Sequence, residues 1–144
     1  MLVAAPAAAQ PDRLERALAT LPAGPFETQA WHPDQSSQAF VYVLAVTGRP
    51  RGKVYQPSVR DLGLLQRSDV VRAVRADAPD ERAAANVLVD PLRNSGGEPV
   101  AYVVHHRDVQ VSSTFTRDGA YTVYLRRAGE PMEMGGGGGG GGGM

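Results

Sequence analysis

One run of eight residues, AFVYVLAV at 39–46, constrains the fold of this chain more than any other part. Side chains alternate between the two faces of a strand. Phe40, Tyr42, Leu44 and Val46 therefore share one face, and Ala39, Val41, Val43 and Ala45 the other. Both faces are apolar. Such a strand belongs in the interior of a sheet with cover on each side, because either face left in water would expose hydrocarbon. The run is far too short to be a membrane-spanning helix, and no other apolar stretch reaches that length.

The rest of the chain supplies neighbours for it. VLVDPLRNSGGEPVAYVV (87–104) is two apolar runs split by a polar hinge, Asn94 to Glu98, in which glycine provides the positive φ of a loose hairpin. Pro91 has no N–H for a ladder, so its strand is an edge or carries a bulge there. The second run reads as one long strand from Val100 to Val111 that changes character at His105. VSSTFT and AYTVYLRR flank Arg117-Asp118-Gly119 as a further hairpin, and Lys53 to Gln56 is a brief strand ended by Pro57. Asp12 can cap a short helix with Leu14, Ala17, Leu18 and Leu21 at helical spacing. Residues 22–38 read as loop. The segment 58–76 reads as helical, with Ser68 capping a turn from Asp69 to Ala76 that points Val70, Val71 and Val74 inward. This order predicts an α+β fold: an antiparallel β-sheet of about five strands with helices on one side.

A single domain over 11–134 fits the length of 144 residues, with 1–10 and 135–144 outside it. MLVAAPAAAQ (1–10) is either the stub of an export signal, its small residues forming a peptidase site, or an unstructured Ala/Pro arm. Location outside the cytoplasm, periplasmic or secreted, follows from the first alternative only. The glycine run 135–143 has no side chains to bury and is expected to be a disordered tail. Fifteen cationic and fifteen anionic side chains balance, which argues against a general affinity for nucleic acid or anionic membrane. There is no cysteine, so disulfides, zinc–thiolate sites and thiol catalysis are excluded.

The element order, together with AFVYVLAVTGRPRGKVYQP, SDVVRAV and VLVDPLRNSGGEPVAYVV, resembles the PAS-like extracytoplasmic sensor domains called Cache, and is also similar to GAF domains. The resemblance covers about residues 39–104. It implies a ligand between the sheet and the helix-bearing connection, with Tyr42, Tyr55, Arg60 and Tyr102 along that route, the tyrosines giving area and the arginine a clamp for a carboxylate. The N-terminal helix is shorter than the long one usual in Cache domains.

Chemistry beyond binding finds little support. HHRD (105–108) suggests a metal, but adjacent strand residues face opposite ways, so His105 and His106 cannot share an ion without a bulge. His106 and Asp108 share a face, and His32 and Asp34 could approach from their loop, yet the spacing matches no metal template. No nucleophile elbow, phosphate loop or calcium loop is present. The expectation is a small, soluble, non-enzymatic binding or sensor-like domain, without cofactor or resident metal, for a small ligand or a protein partner. The alternative is a structural or assembly subunit whose terminal arms contact neighbouring copies in self-association. A metal-dependent enzyme using His32, His106 and Asp108 is the third reading.

Overall fold

The computed structural model describes residues 12–33, 39–49, 52–56, 58–116 and 120–127. The expectations for 1–10, for Asp34, for the glycine tail and for the turn at Arg117-Asp118-Gly119 lie outside these residues.

The elements run α1 (Arg13–Leu18), β1 (Phe26–Trp31), β2 (Val41–Val46), β3 (Lys53–Tyr55), β4 (Arg60–Leu65), α2 (Arg67–Asp77), α3 (Glu81–Ala84), β5 (Val87–Arg93), β6 (Pro99–His106), β7 (Val109–Phe115) and β8 (Tyr121–Arg127). A five-stranded sheet has the order β4-β1-β2-β6-β5, antiparallel throughout. Its middle strand is β2, whose first five residues are all buried. On one face Phe40, Tyr42, Leu44 and Val104 meet Leu14 and Leu18 of α1, Val70 and Val74 of α2, and Ala83 and Ala84 of α3. On the other, Val41, Val43, Ala101 and Val103 meet Val109, Tyr121, Val123 and Leu125. The second cover is a three-stranded sheet, β3-β8-β7, in which β3 is parallel to β8. The molecule is therefore layered as helices, large sheet, small sheet.

The expected hairpin is present. β5 is an edge strand, as Pro91 requires, with a register shift between Leu92 and Arg93. Asn94 organises its turn: its side-chain oxygen accepts from the N–H groups of Gly96 and Glu98, both at 3.0 Å, and Gly97 takes φ 84°.

Five expectations are corrected. Lys53–Tyr55 and the last two strands do not extend the large sheet but form their own. The long strand ends at His106, and a turn at Arg107 and Asp108 sends β7 into the second layer. Part of the expected loop is strand β1, where Phe26, Thr28 and Ala30 are buried and Trp31 lies under the small sheet, its indole N–H donating to Ser58 Oγ at 3.0 Å. The helical reading of 58–76 fails over its first half, because β4 pairs with β1 there. The register shifts between Thr28 and Gln29, opposite Leu62, and both Leu62 and Leu65 pack under the helices. Their helix-like spacing is thus the product of a bulge. Since β4 runs to Leu65, α2 starts at Arg67 with Gln66 as its cap, not Ser68; the Asp69 carboxylate accepts the Gln66 N–H at 3.0 Å. Val70 and Val74 are buried as expected, and Val71 is half-buried.

Asp12 does cap α1, accepting the Glu15 N–H at 2.9 Å, and it also pairs with Arg75 of α2. The Glu15 N–H first, then Arg75, hold its carboxyl below the ordinary 3.8. That contribution is complete above 3.8 and is lost as pH falls through the lower folded value. Asp12→Ala is expected to cost about 1–2 kcal/mol at neutral pH, measured by urea unfolding, and to narrow the gap to wild type in acid.

Candidate functional site

Polar side chains gather at one end of the large sheet, where β1 and β6 finish, β2 begins and α2 passes into α3. Two clusters form there.

In the first, Asp77 closes α2. A carboxylate at a helix C-terminus opposes the helix dipole. Here the Tyr42 hydroxyl donates to Asp77 Oδ2 at 2.6 Å, and His32 Nε2 lies 3.1 and 3.2 Å from the two carboxylate oxygens. A carboxylate only accepts, so His32 carries its proton on Nε2. Tyr42 is 4% exposed. Burial, then the hydrogen bond and charge of Asp77, push its phenol well above the ordinary 10.0, with Arg60 opposing. The hydroxyl stays protonated and serves as a fixed donor. This cluster fastens the end of α2 to the start of β2 and the end of β1.

The second cluster surrounds His106, which is 7% exposed on the helix side of the sheet. The backbone N–H of Asp108 donates to His106 Nδ1 at 3.0 Å, so the ring carries its proton on Nε2. Burial lowers its pKa from the ordinary 6.5, the Asp108 carboxylate acting against this and Arg107 and His105 with it. The ring is neutral at pH 7. Beside it opens a cleft of about 520 Å³ lined by Asp80, Arg82, Asn86, His106, Asp108 and Arg127 among others. Two backbone bonds set this corner, His106 N–H to Phe40 at 3.0 Å and Arg107 N–H to Asn86 at 2.8 Å. Asp80 also caps α3, accepting the Ala83 N–H at 2.8 Å.

Because the folded pKa of His106 is depressed, the unfolded chain takes the proton first as pH falls. The stability contributed is complete above 6.5 and drains away below it. Replacing His106→Gln should remove that part of the pH dependence. Urea midpoints between about pH 5 and 8 measure it, and parallel curves for the two proteins would contradict the assignment.

The residues implied by the resemblance divide. Tyr42 and Arg60 come together across Ala30, which pairs with both, and Tyr102 lies on the same face, its ring 6.2 Å from that of Phe26. Tyr55 does not join them. It sits on the small sheet, stacked on Tyr124 at 5.4 Å. The candidate metal residues divide too: His32 pairs with Asp77, while His106 stands beyond the rings of Tyr42 and Phe40. His105 faces the opposite side, with Nε2 2.7 Å from Asp90 and Nδ1 3.0 Å from the His106 carbonyl. Among the described residues no group of three or more His, Asp or Glu is placed to hold a metal ion. No helix among them is long and apolar enough to cross a membrane.

Sequence reasoning missed Arg82, Asn86 and Arg127 as cleft residues and missed the His32–Asp77 pair. No local signal marks them, since Asp77 lies 45 residues from His32, Arg82 and Asn86 lie 20 or more residues before His106, and Arg127 comes from the other sheet. A scan against family models, a search of curated proteins and a search of solved structures each found no match.

Proposed function

We propose that this chain is a non-enzymatic binding domain that takes a small polar ligand in the cleft beside His106. One observation carries the reading: a cleft of about 520 Å³ that sets the cations Arg82 and Arg127 beside the carboxylates Asp80 and Asp108. Its volume falls in the ordinary range for small-molecule sites, and its two signs of charge suit a zwitterion of the size of a free amino acid. Arg82 or Arg127 would clamp the carboxylate and Asp108 the ammonium group. The cleft lies between the sheet and the helix-bearing connection, where the PAS-like resemblance puts a ligand, although none of Tyr42, Tyr55, Arg60 and Tyr102 lines it. That agreement supports a PAS-like sensor reading, and the small-residue run at 1–10 supports export. The assembly reading rests on the terminal segments, which lie outside the described residues.

The experiment is a thermal-shift and calorimetric panel of free amino acids. At a hundredfold excess over its dissociation constant a ligand adds about 2.7 kcal/mol of stability. Arg82→Glu, on an exposed side chain, should abolish the effect, whereas Tyr42→Phe should leave it. Loss in Tyr42→Phe with binding kept in Arg82→Glu would move the site to the Tyr42 cluster, and no binding at millimolar concentration would remove the zwitterion reading.

A further inference from the structure

The outer face of the small sheet has a different character from the rest of the molecule. In this layer Val54, Tyr121, Val123 and Leu125 turn inward to the large sheet. Alternation then turns Lys53, Tyr55, Thr122, Tyr124 and Arg126 outward. On β7 the same rule turns Gln110, Ser112 and Thr114 outward, all of them exposed. The register sets these side chains in rows: Lys53 by Thr122 by Thr114, Tyr55 by Tyr124 by Ser112, and Arg126 by Gln110. Tyr55 and Tyr124 stack at 5.4 Å with their planes 16° apart, and Tyr55 is 61% exposed. A groove of about 400 Å³ runs along Tyr124, bounded by Gln110, Ser112 and Arg126. The strands Lys53–Tyr55, Val109–Phe115 and Tyr121–Arg127 contain no acidic residue, although the chain as a whole is neutral. Lys53 and Arg126 stand on either side of the tyrosine pair, roughly 14 Å apart along the strands.

We propose that this face is a docking platform for an acidic polysaccharide, a chain of sugars bearing carboxylates. The apolar C–H face of a pyranose packs on an aromatic ring, and tyrosine offers that area with few rotamers to freeze. The amide and hydroxyls of Gln110, Ser112, Thr114 and Thr122 match sugar hydroxyls in kind, each able to donate and accept. Arg126 and Lys53 answer the carboxylates, and the lack of acids in these strands leaves no fixed repulsion. Single-stranded nucleic acid also stacks on aromatic side chains, but it carries a charge at every nucleotide and its binders line a basic groove. Two cations set four residues apart along the strands fit a sparser anion. This surface lies on the opposite side of the large sheet from the helices, so the proposal stands apart from the His106 cleft.

Affinity electrophoresis of the full chain through gels containing polygalacturonate, neutral dextran or oligothymidylate tests it. Retardation is expected in polygalacturonate alone. Tyr124→Ala should weaken it at least tenfold. Gln110→Glu, an isosteric change at an exposed position, should do the same with the melting temperature unchanged, which guards against misfolding of the first variant. Arg82→Glu, in the cleft, should leave it intact. No retardation in polygalacturonate, equal retardation of the Gln110→Glu protein, or stronger retardation by oligothymidylate would each overturn the proposal.

Discussion

Leu44→Ala is expected to cost about 2–5 kcal/mol of folding stability, the range for emptying a leucine site in a packed core. Leu44 is fully buried in the middle strand of the large sheet, facing the helices. Truncation leaves a cavity lined by side chains from several elements, and a strand paired on both sides cannot shift to fill it. Leu64→Ala is the control. Leu64 is 60% exposed on edge strand β4, so its loss should stay within about 0.5 kcal/mol. Urea unfolding of the two variants gives the comparison directly. Similar small losses at both positions would mean that β2 is not covered as described.

Gly52→Ala should be nearly as damaging, for the opposite reason. A Cβ at this position would lie 2.1 Å from the nearest ring carbon of Tyr121, which is 2% exposed and packed between the sheets. The obstacle is space, not backbone: Gly52 is not among the glycines at positive φ. Overpacking of this kind costs about 1–3 kcal/mol, occasionally more. The upper end is expected because the obstructing ring is buried and has no solvent to retreat into. Gly52 directly precedes β3, which pairs with the strand that begins at Tyr121. Hydrogen exchange in the variant should therefore rise first in Lys53–Tyr55 and Tyr121–Arg127, ahead of β2. Gly48→Ala, at φ 84° with no atom near its added carbon, tests backbone strain alone and should cost less.

These two sites also mark what was legible beforehand. The cover on both faces of β2 could be read from AFVYVLAV itself, because apolar residues at every position leave no face for water. The hairpins, the Asp12 cap and the edge position of Pro91 were legible for similarly local reasons. What supplies the second cover was not. The parallel pairing of β3 with β8 joins segments about 70 residues apart, and nothing within Lys53–Tyr55 names its partner. β1 was hidden because its inward face includes Thr28 and Ala30 and its outward face Glu27 and Gln29, a weak alternation between a proline-rich turn and His32-Pro33. β4 was hidden because a bulge gave two leucines the spacing of a helix. The candidate site suffered most. His106 and Asp108 stood out as a pair, but the cleft needs Asp80 and Arg82 from α3 and Arg127 from the end of β8, and only the folded layers bring these together.

The proposed function requires a small zwitterion to bind beside His106. Its most direct test is an amide and imidazole NMR titration of the full chain with the strongest amino acid from the panel. Shift changes centred on residues 80–86, 106–108 and 127, with the His106 ring among them, are the predicted result. Changes centred instead on Tyr42, Arg60 and Asp77, or a spectrum unmoved at millimolar ligand, would contradict it.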